Sequence, residues 1–130
     1  MNPIRLLVVD DQPQICDFMA SVGRAAGYEV FTCCHGDDFK RLYDEVHPSM
    51  VVIDNVMPEV DGIELVRYLA GAGAKCSTVT ISGFPAYLGM IRSLAASLCL
   101  SDVSGVEKPL IGDALKDIFH DRWVVVSGVA

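Results

Sequence analysis

The sequence predicts a doubly wound α/β sandwich, one five-stranded parallel sheet flanked by five helices. Two observations carry this. Short apolar runs alternate along the chain with stretches of helical periodicity, as crossover units require. The apolar runs themselves do not alternate with polar residues, which suits strands buried on both faces of a parallel sheet. A length of 130 residues fits one domain with a full core.

The first strand is read over Ile4 to Val9, an apolar run with one charge, closed by Asp10-Asp11. Pro13 then sits near the first turn of a helix, where its missing N–H is harmless. Ile15, Phe18, Met19, Val22 and Ala26 recur at helical spacing, and Gly27 is the C-cap candidate. Tyr28 to Cys33 is the second strand. Phe39, Leu42, Tyr43 and Val46 mark the second helix, which Pro48 prevents from continuing. Ser49 to Ile53 is the third strand and ends on another carboxylate, Asp54. After a loop from Asn55 to Val60, Asp61 can cap a third helix with Glu64 as its capping-box partner. Ile63, Val66 and Leu69 would form that helix's inner stripe.

Cys76 to Ile81 reads as the fourth strand, and Pro85 opens a fourth helix through Leu88, Ile91, Leu94, Ala95 and Leu98. A short fifth strand falls around Val103 to Val106. A last helix follows Lys108-Pro109 and uses Leu115, Ile118 and Phe119. Residues 1–121 are thus expected to form the domain, and 122–130 an apolar tail or the start of a linker. Whether Trp123 and its neighbours cover the core, pair with another chain or lead onward stays open at this point.

Composition narrows the function. Hydrophobic residues make up 52% of the chain, too many for a disordered segment, yet no apolar run is long enough to span a bilayer. The N-terminus reads as a buried strand rather than a signal peptide. With 10 Lys and Arg against 17 Asp and Glu, the formal net charge of −7 disfavours direct binding to nucleic acid or anionic lipid. The five cysteines form no Cys-x-x-Cys unit or zinc pattern. They are read as small apolar fillers in a reducing, cytoplasmic compartment, with little to favour the adjacent Cys33-Cys34 as a redox pair.

The chemistry is expected beyond the carboxyl ends of the strands, where doubly wound sheets bind their ligands. Asp10, Asp11, Asp54, Ser82 and Lys108 all fall there. Three converging carboxylates need a compensating cation, and hard oxygen donors at a small hydrated site suit Mg²⁺. A lysine and a serine in the same crevice can pair with phosphoryl oxygens.

Four ordered motifs then resemble one family: V8-V9-D10-D11, V52-I53-D54-N55-V56-M57-P58-E59-V60-D61-G62, T80-I81-S82-G83 and E107-K108-P109. They are similar to the receiver domains of two-component response regulators, whose fold is flavodoxin-like (chemotaxis type), over about residues 4–120. The resemblance implies that Asp54 is the phosphorylation site and nucleophile. Asp11 and Asp54 would ligate Mg²⁺ directly, with the Val56 backbone carbonyl, while Asp10 would act mainly through metal-bound water. Lys108 would pair with the phosphoryl group, Ser82 would hydrogen-bond to it, and Gly83 would leave room for the donor. The implied partner is a sensor histidine kinase or a histidine phosphotransfer protein. A homodimer and an output domain or effector protein are further implied partners. Such a domain is not a classical enzyme, although it assists its own phosphorylation. Val56 offers no polar side chain to orient water, so hydrolysis of the aspartyl phosphate is expected to be slow.

Two departures from the family pattern bear on signalling. Gly105 stands where receivers usually carry an aromatic residue, three places before the lysine, and the stretch from Ser82 to Lys108 is longer than is common. Together with G105-V106-E107-K108-P109-L110 these features resemble receivers placed before EAL-type cyclic-di-GMP phosphodiesterase domains. Two alternatives follow: a regulatory domain detached from such an enzyme, or a non-phosphorylated interaction module with a receiver fold. A phosphatase of the haloacid-dehalogenase type would need a second Asp where this chain has Val56.

Overall fold

The computed structural model describes residues 4–54, 62–73, 76–83, 85–98, 100, 103–107 and 112–127. Within these, the side chains of Asp54, Ile63, Pro85, Tyr87 and residues 124–127 lie outside the description. Elements alternate strictly: β1 (Arg5–Val9), α1 (Pro13–Ala25), β2 (Glu29–Cys33), α2 (Phe39–Val46), β3 (Met50–Asp54), α3 (Gly62–Gly71), β4 (Ser77–Ser82), α4 (Pro85–Ser97), β5 (Val103–Glu107) and α5 (Gly112–Ser127). A 3₁₀ turn, Gly36–Asp38, leads into α2.

All five strands pair in parallel, in the order β2-β1-β3-β4-β5. The expected sandwich is therefore present. Successive residues of β1 point to opposite faces, as a strand demands. Leu6 and Val8 join a core built with α1 and α5, through Met19, Leu115 and Phe119. Leu7 and Val9 join a second core with Phe39 of α2 and Leu65 and Leu69 of α3. All four β1 side chains are fully buried, which is why this run carries no alternation. A smaller cluster, Val66, Ile91 and Ala95, seats α4 against α3.

The punctuation residues act as their chemistry dictates. Pro13 occupies the first turn of α1, and Gly27, at φ 101°, takes the left-handed conformation just beyond its end. Helix α2 closes on His47, also left-handed at φ 50°, whose N–H reaches the Tyr43 carbonyl before Pro48 blocks continuation. Some stripe assignments change: Phe18 of α1 is 40% exposed and stands outside the core. Leu65 is a buried residue of α3 beside Val66 and Leu69; the side chain of Ile63 and the expected cap Asp61 lie outside the description. Leu98 is 37% exposed, because α4 ends at Ser97 before its stripe completes another turn.

Helix α5 continues through Trp123 to Ser127. Trp123 packs against the first core, edge-on to Tyr28 at 5.2 Å between ring centroids, and its ring lies beside Gly27. Among the roles open to this apolar segment, Trp123 takes that of core cover. Among the described residues, no helix is long and apolar enough to cross a membrane.

Candidate functional site

Strand order places the site. The chain leaves β1 toward β2 on one side and returns to β3 on the other, so a crevice opens beyond the ends of β1 and β3. Val9 pairs with Ile53, which sets Asp10 beside Asp54 on the continuing ladder. Asp54 itself pairs with Ile81, and Ser82 pairs with Glu107. With strands ~4.8 Å apart, the rung of Asp54 continues through Ile81 to Val106, and Ser82 stands one residue beyond it, beside Glu107, so Asp10, Asp54 and Ser82 gather at neighbouring strand ends. Lys108 and Val56 lie outside the described residues.

Asp10 is 1% exposed. A buried carboxylate is costly unless donors or cations compensate it. The backbone N–H of Gln12 donates to Asp10 Oδ1 at 2.9 Å, and the Asp10 N–H donates to the Cys33 carbonyl at 3.1 Å. These bonds fix the turn between β1 and α1 and hold Asp11 next to the buried acid, in a half-buried position. Asp54 enters through its backbone alone, as the final residue of β3.

Ser82 is also 1% exposed, at the end of a β4 strand buried along its whole length. Two residues earlier, the Thr80 hydroxyl donates to the Ser104 carbonyl at 3.3 Å and ties β4 to the edge strand. Gly83 follows, exposed, and a Cβ there would meet open space. A donor molecule approaching this rim meets no side chain at that position.

The oxygen-rich donor set fits a hard divalent cation better than a thiophilic one. Among the described residues no three metal-ligating side chains cluster. The third carboxylate of the expected set is that of Asp54, whose side chain lies outside the description.

Sequence reasoning missed the sulfur contacts behind this site. Cys16, on α1, donates through Sγ to the Asp10 carbonyl at 3.2 Å, and Cys34 Sγ lies 3.7 Å from Cys16 Sγ. Burial, then the hydrogen bond with Cys34, pushes the Cys16 thiol up to about 12. The only sequence signal was the helical position of Cys16, one residue after Ile15, which gives no hint of its partner.

Gly105 lies against α4. A Cβ on Gly105 would stand 3.3 Å from both Cβ and Cδ2 of Leu88 and 3.4 Å from Arg92 Nη2. Leu88 of α4 thus occupies space beside β5 that a larger residue at 105 would require.

A family model described as "Response regulator receiver domain" matches residues 6–104. The chain is 25% identical over 95 residues to the transcriptional regulatory protein TrcR of Mycobacterium tuberculosis, covering 73% of this chain and 37% of that protein. It is 31% identical over 65 residues to the alkaline phosphatase synthesis transcriptional regulatory protein PhoP of Bacillus subtilis, covering 50% of this chain and 27% of that one. The chain therefore spans about a third or less of these relatives. Among solved structures, a CheY-like receiver protein from Methanospirillum hungatei superposes with a TM-score of 0.83 at 16% identity, covering 99% and 100% of the two chains. A signal receiver domain from Bermanella marisrubri gives 0.74 at 25% identity, covering 92% and 98%.

Proposed function

The chain belongs to the response-regulator receiver family, and from that premise we propose that Asp54 is its phosphoacceptor, in a Mg²⁺-dependent reaction with a phosphohistidine partner. One observation carries the reading: the β1–β3 register sets the buried acid Asp10 directly beside Asp54 at the crevice where strand order switches. Two acids placed side by side, one of them buried, gain from a shared cation.

Asp11, Asp54 and the Val56 carbonyl would hold Mg²⁺, with Asp10 acting through its water. Bound there, the ion supplies positive charge to the phosphoryl oxygens. The Asp54 carboxylate attacks phosphorus in line; a P–O bond forms, the P–N bond to the donor histidine breaks, and the imidazole leaves with its electron pair. Lys108 neutralises charge on the transferring group, and the Ser82 hydroxyl donates to one of its oxygens. Exposed Gly83 keeps the approach clear. Receiver domains in general work with histidine kinases and output domains. For this chain the kinase or phosphotransfer partner, an output partner, pairing with a second copy and the link to an EAL-type phosphodiesterase belong to the proposal.

Intact mass after incubation with acetyl phosphate and Mg²⁺ tests it. The chain gains one phosphoryl group, and Asp54→Asn gains none. No gain from any small donor or from a kinase would favour a scaffold that is never phosphorylated.

A further inference from the structure

We propose that Cys16 and Cys34 are an oxidisable dithiol that a hydroperoxide converts to an intramolecular disulfide, and that this disulfide slows phosphoryl uptake at the neighbouring site. The second half rests on the function proposed above; the first does not.

The geometry begins with strand alternation. Cys33, the last residue of β2, turns into the core shared with α2 and α3, where its Sγ donates to the His35 carbonyl at 2.8 Å. Cys34 turns the other way and packs against the core shared with α1. The two adjacent cysteines therefore face opposite sides of the sheet. Cys34 instead meets Cys16, 18 positions away in sequence, at 3.7 Å between sulfurs. A disulfide needs ~2.05 Å, so a small closure at the β2 end completes the bond. Cys16 is 1% exposed, whereas Cys34 is only half-buried and is the sulfur an oxidant reaches first.

The chemistry balances with a hydroperoxide as oxidant. Cys34 gives up its proton and attacks the distal peroxide oxygen; the O–O bond breaks, Cys34 becomes a sulfenic acid, and the other oxygen leaves with that proton, as water from hydrogen peroxide or as the alcohol from an organic hydroperoxide. Cys16 sulfur then attacks the Cys34 sulfur; an S–S bond forms, the S–O bond breaks, and hydroxide leaves with the Cys16 proton as water. Two thiols are oxidised and one peroxide is reduced.

The coupling to function lies in the proton that Cys16 loses. In the reduced chain that S–H donates to the carbonyl of Asp10 at 3.2 Å, and Asp10 N–H holds the Cys33 carbonyl. Oxidation removes the S–H donor and draws the Cys34 end toward α1. Both changes act on the backbone that carries Asp10 and Asp11.

The experiment uses the full chain treated with hydrogen peroxide, quenched with an alkylating reagent and peptide-mapped without reduction. The expected product is a Cys16–Cys34 linked peptide, two hydrogens lighter than the separate peptides and reversed by thiol reductant. Cys33→Ser keeps the link and Cys34→Ser abolishes it. A Cys33–Cys34 or intermolecular link, or sulfinic acid at Cys34 with Cys16 still alkylatable, overturns the dithiol. In the second arm, uptake from acetyl phosphate and Mg²⁺ is expected to be several-fold slower after oxidation and to recover after reduction. Unchanged uptake in a fully linked sample overturns the coupling. Failure of the reduced chain to take up phosphoryl at all would instead remove the functional premise and leave the dithiol standing.

Discussion

Helix α1 meets β1 and β2 over Gly23, and α4 meets β5 at Gly105, yet the two close approaches differ in depth. A Cβ on Gly23 would stand 2.8 Å from Leu6 Cδ2 and 3.0 Å from Val30 Cγ2, both inside the core between α1, α5 and the sheet. At Gly105 the nearest atoms lie at 3.3–3.4 Å, and β5 is a half-buried edge strand. The first contact seats the C-terminal part of α1, the helix whose first turn follows Asp10 and Asp11. The second lies opposite Thr80, two residues before Ser82 and Glu107. Interiors are close-packed and transmit strain, whereas an edge can yield. The acid-bearing half is thus the fixed part, and the α4–β5 half is where rearrangement costs less.

The largest test removes a prop of the fixed half. Phe119 is fully buried on α5 and lies 5.5 Å from the Tyr28 ring, centroid to centroid. Phe119→Ala is expected to destabilise by ~3–5 kcal/mol, read as a lower urea midpoint at unchanged slope. A cost below ~1 kcal/mol would mean that this half is as yielding as the edge.

Next comes overfilling. Gly23→Val pushes a stiff branched side chain into the methyl groups of Leu6 and Val30. The expected loss is ~1–3 kcal/mol, again from denaturant unfolding. Phosphoryl uptake at the crevice should fall with it, because α1 cannot move outward without moving the turn that holds Asp10.

Tyr28 gives a smaller effect with a pH signature. Its hydroxyl donates to the Phe119 carbonyl at 2.7 Å, and the residue is 4% exposed. Burial lifts the phenol well above its ordinary 10.0, with nearby Arg122 opposing. A pKa raised on folding stabilises fully below the unfolded value, so this contribution holds to about pH 10 and is lost as pH rises further. Tyr28→Phe should cost ~0.5–1.5 kcal/mol at neutral pH. The gap between variant and parent should narrow above pH 10, since phenylalanine has no proton to lose.

Much of this was legible in the chain. Continuous apolar runs ending on Asp10 and Asp54 mark buried parallel strands whose tips face one crevice, and the ladder puts those two residues side by side. Contacts between distant segments were not legible. Cys16 looks like a helix filler until β2 brings Cys34 against it. Trp-Val-Val-Val has no helical spacing of its own, and α5 runs through it because Trp123 finds Tyr28 and Gly27 nearly a hundred residues earlier in the chain. Leu98 fits the apolar stripe of α4 by spacing, but spacing does not show where the helix stops. Gly105 was visible as a departure, while its physical meaning, that Leu88 occupies the neighbouring space, required the packing.

That last contact supplies the smallest and most discriminating expectation. In Gly105→Ala the new methyl meets Leu88 Cβ, which is anchored to the helix backbone and cannot swing away as a side-chain tip would. Helix α4 must therefore ride outward by a few tenths of an ångström. Against this, replacing a strand glycine recovers ~0.5–1 kcal/mol of backbone entropy. If α4 is free to move, the two terms offset and the midpoint stays within ~0.5 kcal/mol of the parent. Amide exchange along α4 should then rise while that of α1 stays constant. A loss comparable to that of Gly23→Val would show α4 to be held as firmly as α1, and the compliant half of the molecule would have to be sought elsewhere.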